Sequence, residues 1–381
     1  MTAPPAFRRH DLDWLRVFGV LAVFIYHLAR VFDPYWWHIK NVETYPFAGL
    51  ARLIVGEWMM PAIFMVSGAS AFYALRTRDA GAFLRDRALR LLVPFATGVV
   101  THIALQVYFE RRATGAFAGS FLAFYPHYFD GLYGFGGNFA WMGLHLWFLP
   151  VLFIYGVLCL PVFLWLRGAR GTSVLDRLSA FLAKPGAIYL LALPVMLALI
   201  MLDPAGLPGN RDAGGWSVLI YPVFFIYGFI VVSNERLEER IRRDRRRSLA
   251  LAALLSAVLT MIWLRSGEPL YTEENFVGFA ALYGLNAWCW LLALWGYVTH
   301  NLTESTPFLR YVNDAVLPFY ILHQSVMVVV AYYAVHFPIS DGPKLIVIAL
   351  TAFAVTLAIY HLAIRPFNPM RVLFGLRPRP V

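Results

Sequence analysis

Apolar residues in this chain come in runs of about 18 to 25, and polar residues gather in the short stretches between them. At ~1.5 Å per residue such runs form helices long enough to cross a ~30 Å hydrocarbon layer. Ten runs are predicted as spans, over residues 12–33, 47–75, 89–110, 141–166, 185–202, 216–233, 248–265, 276–299, 315–337 and 344–364. The pattern predicts an all-α integral membrane protein, read as one polytopic domain over residues 1–381. The second run is long enough to tilt or break, with Pro61 and Gly68 as the expected points. No small-residue cleavage site follows MTAPPAFRRHDLDW, so the first run is expected to stay as a helix.

That first run, DLDWLRVFGVLAVFIYHLARVFD, carries an arginine and a histidine where lipid would tolerate neither. Arg16 and His27 are eleven residues apart, ~16 Å along a helix and nearly in line around it. Ionisable groups at membrane depth usually face a protein interior or a wet cavity, so the pair is a functional-site candidate.

Charge gives the spans a direction. Alternate connections carry 23 Lys and Arg on one side and 5 on the other, with four more inside spans. By the positive-inside rule the richer side is cytoplasmic, so both termini are expected there. Arg16 then lies near the cytoplasmic end of its helix, and His27 lies past the midplane. The cluster NERLEERIRRDRRR, residues 234–247, reads as a solvated topology signal with charge pairs four apart.

Other polar residues sit at compatible depths. Arg87 and Arg90, three apart, share a helix face at the cytoplasmic entrance, and arginine forks suit a polyphosphate ligand. Pro94 is expected to bend that helix or widen its packing. Ser67 lies in the cytoplasmic half of the second span and Glu57 in its outer half, where Glu57 could orient His27 or face an outer vestibule. His145 and Trp147 enter from outside on the fourth span. His323 lies near mid-membrane on the ninth, with Tyr320 on a similar face. The connection from Arg111 to Ala140 is dense in aromatics and glycine, which suits sugar stacking or plain interfacial anchoring. A lone histidine in a span is often a hydrogen-bonded structural group, the reading adopted for His102.

Composition narrows the classes. The 381 residues are 60% hydrophobic, 17% aromatic and 14% charged, too apolar for an ordinary soluble protein. The net charge of +10 is distributed as topology signals, and no nucleic-acid recognition module accompanies it. Cys159 and Cys289 fall in apolar runs, and no histidine pair stands at i and i+4, so no metal site is expected.

Five stretches taken in order resemble the type-three membrane acyltransferases: Arg16 with His27, MPxxFMVSG from Met60 to Gly68, RxxRLxxP from Arg87 to Pro94, HLWFL from His145 to Leu149, and YxLH from Tyr320 to His323. Within that family VNDAVLPFYILHQ looks most like the branch that succinylates periplasmic glucans. The resemblance implies a multi-pass enzyme of a bacterial cytoplasmic membrane. Its acyl group, succinyl or acetyl, would come from cytosolic acyl-coenzyme A and go to a hydroxyl on an extracytoplasmic carbohydrate. Carried over, His27 is the catalytic histidine, as base or acyl carrier, and Arg16, Arg87 and Arg90 hold the coenzyme. Ser67 is a further donor contact, Glu57, His145 and His323 are supporting catalytic candidates, and Trp147 and Tyr320 are acceptor contacts. The alternative from another class is a polytopic transporter of a sugar or anionic solute.

Overall fold

A computed structural model describes residues 9–202, 214–266 and 274–379. The segment before Arg9, expected to run into the first helix without cleavage, lies outside the described residues. Among these residues the fold is helical, with a single isolated β-bridge between Leu132 and Phe139.

Among the described residues seven helices are long and apolar enough to cross a membrane: His10–Phe32, Pro46–Thr77, Ala80–Ala113, Glu235–Arg265, Phe276–Asn301, Pro307–Ala334 and Asp341–Ile364. The other expected spans fall on the bent pair Leu144–Leu158 and Leu160–Arg167, which meet at 45°, and on the shorter apolar helices Ala187–Leu202 and Tyr221–Ser233. Large apolar side chains such as Leu254, Leu264, Leu350 and Leu362 stand exposed on these helices. Lipid tolerates such a surface where water does not, and the chain is a multi-pass integral membrane protein.

Two compact units share the chain. One comprises Met1–Gly19, Gly56–Thr77 and Cys159–Asn313, and the other Val20–Val55, Arg78–Leu158 and Asp314–Val381. The boundary passes through the first helix between Gly19 and Val20, so Arg16 belongs to the first unit and His27 to the second.

The Pro46–Thr77 helix, whose part from Gly56 onward belongs to the first unit, runs unbroken through Pro61 and Gly68, so of the two expectations, tilt or break, the break is absent. Gly68 serves instead as a point of close approach. A Cβ there would lie 1.8 Å from the Phe225 carbonyl oxygen, and one on Gly228 would lie 1.7 Å from that of Met65. Two glycines, each three residues from the other's contact, let the backbones touch, the small-residue packing that holds helices together in lipid. Replacing Gly228 by leucine is expected to force the helices apart at a cost on the order of 1–3 kcal/mol or more. Thermal unfolding of the detergent-solubilised protein, followed by size exclusion, should show it; an unchanged midpoint would refute the contact.

In the second unit the Ala80–Val100 helix also continues through Pro94, and the interruption falls later, at Thr101 and His102, before the chain resumes as Ile103–Ala113. Breaking a helix frees carbonyls that need donors. The aromatic connection supplies them: the Tyr128 hydroxyl donates to the Val99 carbonyl at 2.8 Å and that of Tyr125 to Val100 at 2.6 Å. Phe124 and Tyr128 are buried while Phe135 and Trp141 stay exposed, so part of that connection is a structural brace.

Candidate active site

In the second unit three histidines from three separate segments converge. His27 comes from the first helix, His145 from a 3₁₀ turn over Leu144–Trp147, and His323 from the Pro307–Ala334 helix. The His323 ring centre lies 5.2 Å from that of His27 and 5.2 Å from that of His145, and the last two are 6.3 Å apart. His145 reaches this position through an unusual turn. Gly143 and Leu144 both adopt positive φ, 73° and 48°, and Leu144 is the sole non-glycine residue to do so among those described. A branched-chain residue held left-handed costs energy and is found where structure elsewhere requires the turn.

Donor and acceptor rules fix the protons. His323 Nδ1 lies 2.7 Å from the Tyr320 carbonyl oxygen, which can only accept, so Nδ1 carries the hydrogen. In the neutral ring His323 Nε2 is then a lone pair, and it lies 3.0 Å from His27 Nδ1. His27 therefore donates from Nδ1 and keeps an unprotonated Nε2. That tautomer is the one able to take a proton or attack an acyl carbon. Trp37 stacks on the His27 ring at 6.3 Å between centres and 20° between planes, limiting its rotation.

His145 is fixed by the same logic. Its Nε2 donates to the Ile321 carbonyl at 3.0 Å, leaving Nδ1 to face Gln106 Nε2 at 3.3 Å. Gln106 also donates to Ser325 Oγ at 2.7 Å and accepts from Gln324 Nε2 at 3.0 Å, and Ser325 Oγ meets His102 Nδ1 at 2.8 Å. The Tyr320 hydroxyl donates to the carbonyl of His145, so Tyr320, expected to contact an acceptor, braces the cluster from within. Trp147 is half-buried beside Phe148, with ring centres 6.5 Å apart.

Gln106, Gln324, Ser325 and Trp37 escaped the sequence reading. The one available signal was the unbroken polar triplet His323-Gln324-Ser325 inside an apolar helix. Also missed was the buried His38–Glu110 pair, 2.5 Å apart, with Tyr133 donating to Glu110 at 2.6 Å and Arg111 at 2.8 Å.

Glu57, for which the sequence leaves open orienting His27 or facing an outer vestibule, lies in the first unit, fully buried, and accepts hydrogen bonds from Asn286 and Ser256. Burial in an apolar helix interface leaves a carboxylate dependent on such polar neighbours.

Arg16, also in the first unit, donates to Asp13 and Ser70, each at 2.6 Å. Ser70, three positions beyond the half-buried Ser67, is the hydroxyl that meets this arginine. In the second unit Arg87 lies over the Phe83 ring at 5.1 Å, and Arg90 donates to the Gly375 carbonyl at 3.3 Å. Arg78 and Arg377 flank them by bonding Asp86 at 2.8 and 3.3 Å. Four guanidinium groups on and around one helix start make a basic patch suited to phosphate. Among the described residues no group of three His, Cys, Asp or Glu side chains could hold a metal ion.

Comparison with known proteins agrees with an acyl-transfer site. The chain is 21% identical over 351 residues to glucans biosynthesis protein C of Salmonella typhimurium, covering 88% of this chain and 87% of that protein. It is 23% identical over 287 residues to the protein of that name from Escherichia coli K12, covering 73% and 72%. No solved structure matches it. Residues 9–362 match the family model described as an acyltransferase domain, and on that match the chain belongs to the acyltransferase-3 family.

Proposed function

We propose that this protein is an O-acyltransferase that takes a succinyl or acetyl group from acyl-coenzyme A and passes it to a hydroxyl of an extracytoplasmic glucan or related cell-surface carbohydrate. The observation that carries the proposal is the bare Nε2 of His27, held in that tautomer by His323. The glucan follows from the names of the relatives, and the donor from the basic patch at Arg87 and Arg90. Counting the bent pair and the two shorter apolar helices as spans gives ten crossings. The Lys and Arg asymmetry supports cytoplasmic termini on both ends of such a ten-span chain, in a bacterial inner membrane.

In the reaction His27 Nε2 takes the proton of the acceptor hydroxyl as its oxygen attacks the thioester carbon. The C–O bond forms, the C–S bond breaks, and the imidazolium returns the proton to the departing thiolate. A thioester is already activated, so alignment and exclusion of water supply much of the rest. In the two-step variant Nε2 itself receives the acyl group and then surrenders it to the hydroxyl. Arg87 and Arg90 hold the coenzyme's phosphates, and Arg16 with Ser67 are further donor contacts. His145, through Gln106, keeps the cluster ordered, Trp147 is a contact for the sugar, and Glu57 acts on its own unit's packing.

Removing the gene should erase ester-linked acyl groups from periplasmic glucans in mass spectra; an unchanged glucan acylation pattern would sink the proposal. Arg87→Gln with Arg90→Gln is expected to raise the KM for acyl-coenzyme A about tenfold or more with a smaller change in kcat, because two phosphate contacts are lost. An equal fall in kcat with KM unmoved would place these arginines elsewhere in the cycle.

A further inference from the structure

Glu57 is the single acid on the Pro46–Thr77 helix, and like Asn286 on the Phe276–Asn301 helix it is fully buried. Among the described residues no lysine, arginine or histidine forms an ion pair with it, and the groups it meets are neutral. The Asn286 amide donates to Glu57 Oε2, and so does the Ser256 hydroxyl of the Glu235–Ser266 helix, at 3.4 Å. Ser256 Oγ in turn accepts from Asn286 Nδ2 at 3.0 Å and from the Trp290 indole at 2.9 Å. Tyr283 and Cys289, a turn to either side of Asn286, are uncharged at neutral pH as well. All six residues belong to the first unit.

Two buried oxygens of this group are left over, Glu57 Oε1 and Asn286 Oδ1. They belong to two side chains that already share one hydrogen bond. A carboxylic acid and a primary amide join by two: the amide N–H gives to one acid oxygen, and the acid O–H gives to the amide oxygen. The structure supplies the first bond, and the leftover oxygens are the two ends of the second. One hydrogen, placed on Oε1, serves both. A carboxylate would leave both without a donor and would set a full charge among neutral dipoles in a lipid-embedded interface. Exchanging the nitrogen and oxygen of the amide does not remove the need, because an amide oxygen would then stand against Oε2 with a proton required between them.

We propose that Glu57 is a proton-binding site that stays occupied at neutral pH, and that the neutral acid forms with Asn286 and Ser256 a clasp joining three membrane helices of the first unit. The proposal is independent of the transfer reaction. Helices in lipid gain little from apolar contact with one another, so hydrogen bonds between them carry a larger share of their association. With the proton in place every polar atom of Glu57, Asn286 and Ser256 has a partner, and the group meets the condition under which a buried polar network is stable.

Infrared difference spectra of the purified full-length protein in lipid at neutral pH test this. The carbonyl stretch of a neutral carboxyl lies at higher wavenumber than either stretch of a carboxylate. Glu57→Gln is the reference variant, because its amide N–H can replace the acid O–H and keep both oxygens paired. Subtracting its spectrum from that of the wild type should leave one neutral-carboxyl band and no carboxylate bands. Carboxylate bands in that difference would overturn the proposal. Asn286→Leu gives a second reading that keeps Glu57 in place: the neutral-carboxyl band should move to higher wavenumber, since the amide no longer donates to the acid carbonyl. A band that stays where it was would show that Asn286 is no part of the clasp, and the proposal would fall.

Discussion

His27→Ala protein should fold, bind acyl-coenzyme A with an affinity close to that of the wild type, and lose transfer by a factor on the order of 10²–10⁴. The size follows from what the side chain does. Without His27 the remaining lone pairs sit on rings anchored elsewhere: His145 Nδ1 faces Gln106, and His323 Nε2 belongs to a ring tied through Nδ1 to the Tyr320 carbonyl. The proton of an attacking hydroxyl then has no acceptor placed where His27 Nε2 stood, and the attack slows towards the background rate of a thioester held beside an alcohol. Folding should survive because His27 is half-buried and its partners are few, His323 and the Val23 backbone of its own helix. The check is acyl transfer at saturating donor, beside donor binding and thermal unfolding of the same preparation. Transfer within tenfold of wild type would remove His27 from the chemistry.

His323→Ala comes second, with an expected loss of about 10²-fold in kcat and a smaller change in KM. His323 holds His27 in the tautomer with a bare Nε2. Without its lone pair the His27 ring can carry its hydrogen on either nitrogen and turn away, the penalty that removing an orienting hydrogen bond exacts from a ligating or catalytic imidazole. His323→Gln separates this role from mere space-filling. A glutamine amide oxygen can accept from His27 Nδ1, so this variant should recover a substantial part of the lost rate. If glutamine and alanine are equally inactive while both proteins fold, the pair works by some means other than fixing the tautomer.

What the sequence disclosed, and what it withheld, follows from how each feature is written in a chain. Apolar runs are local, so the long helices were legible to within a few residues, as with His10–Phe32 and Phe276–Asn301. Gly68 and Pro94 were legible as special residues, but not for what they do: the helices continue through both. Composition shows that a helix has lost a side chain or an N–H; it does not show the neighbour, such as Phe225, that takes the space. The true interruption at Thr101 and His102 carries no glycine or proline, and two tyrosines more than twenty residues later stabilise it. Arg16 and His27 were legible because charge in an apolar run is conspicuous. That His27 pairs with His323, and His145 with Gln106, was not, since these residues come from separate segments with no periodic relation to one another.

The most direct test of the central claim is transfer itself. Purified protein in proteoliposomes would be given acyl-coenzyme A labelled in the acyl group, with a neutral glucan on the opposite face, and the glucan would be recovered and treated with mild base. The account predicts label on the glucan in base-labile ester linkage, formed only when donor and acceptor are both present and lost in the His27→Ala protein. Glucan that stays unlabelled, or crosses the membrane without any donor, would contradict it.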